Sequence, residues 1–435
     1  MRTNKVLQST GWWILSILSL LPLVLWLFQE PIKYRFLNLS LFARGLGDVF
    51  GLCGMAMFSL VIILSARLKF YEKFFKGIND AYVAHHFFGG LALVLLLFHP
   101  LFLAYNYLVV SVSAAAGFLL PGANMAQNYG IIGLLVMIIT LVITFYTKLK
   151  YQVWRFTHKF LGLAFLFAIL HVFLIGADLN LNYWLKSYLF VLALLAGIAY
   201  LYRALFANFF VKVFNYTVSG IEALPDKTWE VELTRMNKAL KFLAGQFAFV
   251  KFFNKNLSHE AHPFSFSSTP DKSLKIDVKE LGDYTNKIGN LKVGDRATIE
   301  GPFGSFSFRN YGPKQVWIAG GVGITPFMSM LRDLSKKDDY YQIDLYYSVR
   351  DEENFIFKDE ITKIAEQNKN LNVYFWVSNK EGLIGANSVT AKTKDLDERD
   401  ILICGPGIMM TSLQEQFTKQ GIKARKIHME EFQLY

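Results

Sequence analysis

From Ala81 to Thr147 the chain contains no lysine, arginine, aspartate or glutamate. A bilayer crossing needs about 20 mostly apolar residues, so this stretch is too long for one crossing, and PGANMAQN (Pro121 to Asn128) breaks it into two. The same criterion predicts six spans, near Gly11–Phe28, Val49–Ala66, Ala84–Leu108, Gly130–Tyr146, Phe160–Ala177 and Tyr183–Tyr202. Composition agrees: 53% of the 435 residues are hydrophobic and only 18% are charged, against about 25% charged in ordinary soluble domains. From Phe209 onward charged residues recur every few positions, so a membrane half precedes a water-soluble half.

The loops between spans two and three (Arg67, Lys69, Lys73, Lys76) and between four and five (Lys148, Lys150, Arg155, Lys159) are basic. The loops between spans three and four and between five and six hold only Lys186 between them, so the positive-inside rule puts both termini in the cytoplasm of a multi-pass cell-membrane protein. No small-residue cleavage site follows the first apolar run, which predicts a retained helix rather than a signal peptide. The net charge of +11 is explained by headgroup contact rather than nucleic acid, because much of the basic excess flanks the spans. Cys53 and Cys404 lie in different halves, which predicts no disulfide framework.

Span three carries His85 and His99, fourteen residues apart, and span five carries His158 and His171, thirteen apart. Each pair is separated by about 20 Å along its helix, so one histidine lies near each leaflet. Spans three and five run the same way, so His85 can face His158 and His99 can face His171. Paired imidazoles at two depths are what two b-type haems with two axial histidines require. Gly89 and Gly90 would leave room for a macrocycle. Thirteen residues, however, leave His158 and His171 roughly 140° apart on an ideal helix, so tilt or a local irregularity must intervene. His86 competes with His85, which has the better helical phase. The rival readings are buried histidines bonded to backbone carbonyls, or a proton relay, which would leave the soluble half unexplained. Structural zinc wants its ligands clustered in one place.

Between Val211 and Arg309 short alternating strands (WEVELTR, GQFAFVKF, HPFSFSS, LKIDVKE, RATIEGPFG) predict a small antiparallel barrel. After Gln315 strands alternate with helices, a doubly wound nucleotide-binding pattern. In VWIAGGVGITPF, Gly320, Gly321 and Gly323 follow a strand, and Thr325 with Pro326 opens a helix, an arrangement that favours a pyrophosphate. Its alternative is a tight strand-to-helix turn. The fold class is therefore a multidomain membrane protein: a six-helix bundle (1–208), an antiparallel β-barrel (209–312) and an α/β doubly wound domain (313–435).

Together the paired histidines, HPFSFSS, GPFGSF, GGVGITPF, CGP and a terminal EF resemble the NADPH oxidase and ferric reductase superfamily, in particular its bacterial NADPH oxidase homologues. The resemblance covers residues from about 45 onward. It implies a ferric-reductase-like membrane domain fused to a ferredoxin-NADP reductase-like module, with FAD, two b-type haems and NADPH (or NADH) as cofactors. His85, His99, His158 and His171 would be the iron ligands. FAD would lie along HPFSFSS, with His262 toward the phosphates, Phe264 against the isoalloxazine and Ser265 approaching N5. Pro263, Ser267 and Lys279 belong to the same set, and KELGDYT adds Gly282 and Thr285 at the pyrophosphate. Gly320, Gly321, Gly323, Thr325 and Pro326 would hold the nicotinamide nucleotide, with Cys404, Gly405 and Pro406 bordering its ring. Ser348 and Arg350 match positions that hold a 2′-phosphate, although Asp351 and Glu352 follow. Phe432, or Tyr435, would cover the flavin. Electrons would pass from NAD(P)H to an acceptor outside, either molecular oxygen or a ferric or cupric chelate. Two imidazoles per iron leave no open coordination position, which implies outer-sphere transfer. The chain has no EF-hand pattern, and the expectation is that it needs no obligatory protein partner.

Overall fold

The computed structural model describes residues 10–29, 35, 37–75, 77–147, 149, 151–204, 206, 211–270, 273–334 and 340–430, in two compact units, 1–210 and 211–435. The described α-helices of eight or more residues in the first unit are α1 (Thr10–Leu27), α2 (Leu39–Leu64), α3 (Ile78–Leu108), α4 (Val112–Leu119), α5 (Met125–Tyr146), α6 (Tyr151–His158), α7 (Phe160–Ile175) and α8 (Tyr183–Ala204). Among the described residues, six segments are long and apolar enough to cross a membrane, with α6 and α7 counting together as Gln152–Ile175. Four spans begin well before their apolar runs, at Leu39, Ile78, Met125 and Gln152. The second starts at Leu39 because Asn38 caps it, its side chain accepting the Leu41 N–H at 2.9 Å, and Arg44 and Asp48 face each other one turn apart. PGANMAQN is closed by Asn128, which exchanges two 2.8 Å bonds with the Gly122 backbone, and Asn124 then caps α5.

Glycines set how closely the helices approach. Gly47, Gly51 and Gly54 line one face of α2, and a Cβ on each would meet Leu103, His99 and Leu96 of α3 within 2.8 Å. The fifth span is interrupted at Lys159, where two i→i+3 bonds replace the α-helical ladder: Lys159 N–H to Phe156 O at 3.2 Å, and Gly162 N–H to Lys159 O at 3.0 Å. The Tyr200 hydroxyl of α8 donates to the same Lys159 carbonyl at 3.0 Å, and its ring lies where a Gly162 side chain would be. The first helix is tied to the last by two side chains: Asn182 donates to Leu25 O at 2.9 Å and Tyr188 donates to Leu18 O.

The second unit begins with β1 (Val213–Leu224), β2 (Thr228–Arg235), β3 (Phe247–Phe253), β4 (Ala261–Ser265), β5 (Leu274–Lys279) and β6 (Arg296–Phe303). They form an antiparallel sheet in the order β4-β3-β6-β1-β2-β5, and the Phe266–Ile276 bridge joins its two edges. Val218, Val231, Phe252, Phe266, Ile276 and Ile299 fill its interior. β7 (Lys314–Gly320), β8 (Gln342–Val349), β9 (Leu371–Val377), β10 (Asp400–Cys404) and β11 (Ile427–Glu430) then form a parallel sheet in the order β11-β10-β7-β8-β9. Helices α9 (Thr325–Leu334) and α10 (Lys358–Gln367) pack on one face and α11 (Gly407–Lys419) on the other. Strand burial on both faces explains why these strands read as continuous apolar runs.

Candidate functional site

The four span histidines meet in two pairs. The His85 and His158 ring centres are 6.5 Å apart, and those of His99 and His171 are 6.2 Å apart. Val61 O of α2 accepts from His85 Nδ1 at 3.0 Å, Gly47 O from His99 Nδ1 at 2.7 Å, and Ala126 O of α5 from His171 Nδ1 at 2.8 Å. Each bond fixes the Nδ1–H tautomer and leaves Nε2 as an acceptor. His158 Nδ1 is buried without a hydrogen-bond partner among the described residues. The antiparallel α2 and α3 are in register: the two accepting carbonyls are fourteen residues apart, as are the two histidines. His86 turns back onto Tyr82 O of its own helix at 2.8 Å.

Sequence reasoning missed what makes room for these rings. A Cβ on Gly51 would lie 2.6 Å from His99 Nδ1, and one on Gly130 would lie 2.7 Å from His171 Nδ1. Each glycine follows the accepting carbonyl by four residues, where a side chain would cover that oxygen; this spacing is the signal that could have found them. Gly90 is open and Gly89 meets only Val61, as a roomy flank requires. Phe58 and Phe165 meet edge to face at 5.2 Å between the two histidine levels. The break at Lys159 follows His158 directly, and its tighter winding adds rotation in the direction that the thirteen-residue spacing lacks.

In the barrel, His262 stacks on Tyr284 at 3.9 Å, and its Nε2 lies 2.9 Å from the Glu260 carboxylate. Burial holds its imidazole below the ordinary value, against the pull of Glu260 and Asp283. Pro263 faces Phe249 in register, and Phe264 belongs to the barrel core. The hydroxyls of Ser265 and Ser267 are buried without a hydrogen bond of ordinary geometry. Lys279 pairs with Asp226. Thr285 closes its own turn, its hydroxyl accepting the Leu281 and Gly282 N–H groups at 2.9 and 3.0 Å.

Gly321 has φ of 54°, and a Cβ on Gly323 would lie 2.3 Å from Cys404 O, so both are required by the turn between β7 and α9. Gly320 packs against Pro406 and Met409, and Gly405 against Gly320, which brings the ends of β7 and β10 together. Thr325 Oγ1 donates to Val322 O at 2.9 Å, and Pro326 sits in the first turn of α9. Cys404 ends β10, and burial pushes its thiol well above the ordinary value, with Glu430 adding to the shift. Ser348, next to last in β8, lies beside Gly320, and the Arg350 side chain beyond the strand is 82% exposed. The acids that follow are already engaged: Asp351 caps the next turn and accepts from Asn379, and Glu352 is held by Lys358 and Lys380 at 3.1 and 2.9 Å. Phe432 and Tyr435 lie outside the described residues.

Three family models match in succession: a ferric reductase like transmembrane component over residues 50–169, an FAD-binding domain over 213–307 and an oxidoreductase NAD-binding domain over 317–415. The ferredoxin reductase component of a Mycobacterium tuberculosis 3-ketosteroid-9-alpha-monooxygenase is 27% identical over 220 residues, 49% of this chain and 61% of that protein. The ferric reductase transmembrane component 6 of Saccharomyces cerevisiae is 25% identical over 394 residues, covering 86% of this chain and 51% of the yeast protein. The chain thus spans between about half and two thirds of the length of these relatives. The FAD/NAD-binding domain of a nitric oxide dioxygenase from Vibrio cholerae is similar with a TM-score of 0.44 and 21% identity, over 50% of this chain and 97% of that one. In order along the chain, a ferric-reductase-like transmembrane domain, an FAD-binding domain and an NAD-binding domain make up the architecture of the NADPH oxidase and ferric reductase superfamily.

Proposed function

We propose that this protein carries electrons from cytosolic NADPH, through FAD and two b-type haems, to an acceptor on the far side of the membrane, with oxygen reduced to superoxide. The reading divides the chain into a haem domain (1–208), an FAD domain (209–312) and an NAD(P) domain (313–435). The observation that carries it is the spacing of the two histidine pairs. An iron between two Nε2 atoms needs about 2 Å on each side, and each nitrogen lies about 1 Å from its ring centre, so the centres belong some 6 Å apart. Both pairs have that separation, at 6.5 and 6.2 Å. Imidazoles bonded only to carbonyls would have no reason to face each other twice at this distance. The Nδ1 atoms of His85, His99 and His171 are bonded to carbonyls, the support that metal-ligating histidines ordinarily have, which leaves each Nε2 as the nitrogen available to iron.

When bound, FAD takes a hydride from the nicotinamide and releases electrons singly to haem iron, which carries them one at a time. Ser265 stands at the end of β4 with a buried hydroxyl free to meet the flavin. The exposed Arg350 suits a 2′-phosphate: Glu352 is neutralised by Lys358 and Lys380, and Asp351, 4.0 Å from the guanidinium, is the one acid a phosphate would displace.

A reduced-minus-oxidised spectrum with a haem-to-protein ratio tests this reading. The expected result is two haems per chain, with one lost in His85→Ala or His158→Ala and the other in His99→Ala or His171→Ala. Purified protein without a Soret band overturns it. A ferric chelate reductase of the same layout is the second reading, favoured by the match to the yeast ferric reductase over 86% of the chain. Dismutase-sensitive cytochrome c reduction in air, set against chelate reduction without oxygen, separates the two.

A further inference from the structure

In the barrel, β2 and β5 place Glu230 and Asp277 directly opposite one another, and both are almost wholly buried, at 6% and 5% exposure. Two ionised carboxylates in that relation repel, and burial strengthens the repulsion, so the pair retains a proton. The neighbouring cations decide which partner has it. Lys275 of β5 bonds Glu230, and Arg332 Nη1 of α9 lies 3.8 Å from the other Glu230 oxygen. Asp277 is faced by the hydroxyls of Ser267 and Thr325, by Tyr347 of β8 and, farther off, by Arg332, whose charge is also shared with Glu360 of α10. Neither Asp277 oxygen has a hydrogen bond of ordinary geometry. Burial first, and Glu230 second, push its carboxyl up to about 7.

The same residues tie the end of the flavin strand to the nucleotide helix. Arg332 Nη1 donates to Ser267 O at 2.8 Å, Ser329 Oγ donates to Ser268 O at 2.6 Å, and Arg332 grips Glu360 with two bonds of 2.7 and 2.6 Å. Ser267 and Ser268 follow Ser265 within three residues, and Ser329 and Arg332 lie on the helix opened by the glycine turn.

We infer that Asp277 is a positioning residue for hydride transfer: protonated, it leaves Arg332 on the Ser267 carbonyl, and ionised, it competes for that guanidinium and slackens the tie between β4 and α9. The inference rests on FAD lying at β4 and the nicotinamide at the head of α9. The test is anaerobic stopped-flow reduction of the flavin in the solubilised full chain, at saturating NADPH and NADH, from about pH 5.5 to about pH 8.5, a range that brackets the pair's titration. The wild-type rate holds at low pH and falls severalfold as pH rises through neutrality. Asp277→Asn, a neutral isostere, keeps the acid plateau across the range with FAD content unchanged. Glu230→Gln removes the like charge and moves the fall to lower pH. A decline in Asp277→Asn like that of the wild type overturns the inference; should that variant not fold, an unmoved inflection in Glu230→Gln does so. A wild-type rate that is flat with pH defeats the positioning role alone. A flavin that neither nucleotide bleaches at any pH defeats the functional reading and the inference together.

Discussion

Gly51 and Gly130 matter for the atom they lack. Each leaves a backbone carbonyl one turn earlier open to an imidazole, so Gly51→Ala pushes His99 off the Gly47 carbonyl and Gly130→Ala pushes His171 off that of Ala126. The expected outcome for either is loss of the haem proposed at His99 and His171 with the one at His85 and His158 retained, read as a halved haem-to-protein ratio. With Arg350 on the 2′-phosphate, as proposed, Arg350→Ala would remove a charged contact that NADPH has and NADH lacks. At about 1.5–3 kcal/mol the NADPH KM rises roughly 10- to 100-fold, while NADH kinetics stay unchanged. The four histidines were legible because an imidazole in lipid is costly and its depth follows from residue count. Their anchors at Val61, Gly47 and Ala126 were not, because a carbonyl acceptor has no side-chain signature. Asp277 was hidden for another reason: as the polar member of LKIDVKE it reads as a solvent-facing strand position, and only pairing with β2 and cover from α9 reveal its burial.

At the level of elements, six apolar spans, a barrel and a doubly wound sheet follow from hydropathy and period, and these are the elements observed. The interruption between α6 and α7 does not, because THKFLGLAF continues apolar through it. It depends on a partner far along the chain, Tyr200, which fills the space over Gly162 and bonds Lys159 O. Gly162→Ala drives a methyl into that ring and shifts His158, so the band of the haem proposed at His85 and His158 is expected to weaken while that at His99 and His171 stays. Tyr200→Phe loses only one neutral hydrogen bond, about 1 kcal/mol, which a lowered melting temperature without spectral loss would register. The glycine turn at β7 illustrates the converse case. Gly320 and Gly323 are explained by strand and loop packing alone, so their presence in the sequence was weaker evidence for a nucleotide than it looked.

For the whole molecule, the proposed function gives electron flow a direction, and charge crossing the bilayer would make turnover sensitive to voltage at about 2.3 kcal/mol per charge per 100 mV. In sealed vesicles with the dehydrogenase half outside and the acceptor trapped inside, an interior-negative potassium potential is expected to slow acceptor reduction, and an ionophore to restore it. Rates indifferent to the imposed voltage would count against a transmembrane path. The segregation of charge between halves announced this layout, whereas the way the membrane helices close on themselves depends on two polar side chains with no periodic signature. Asn182 and Tyr188 hook the last span to the first, although neither span holds a histidine. In hydrocarbon no water can replace a lost partner. Cutting away the first span would therefore strand an amide and a phenol against lipid tails, so a segment that carries none of the paired histidines serves as the seam that keeps the bundle of rods from unrolling.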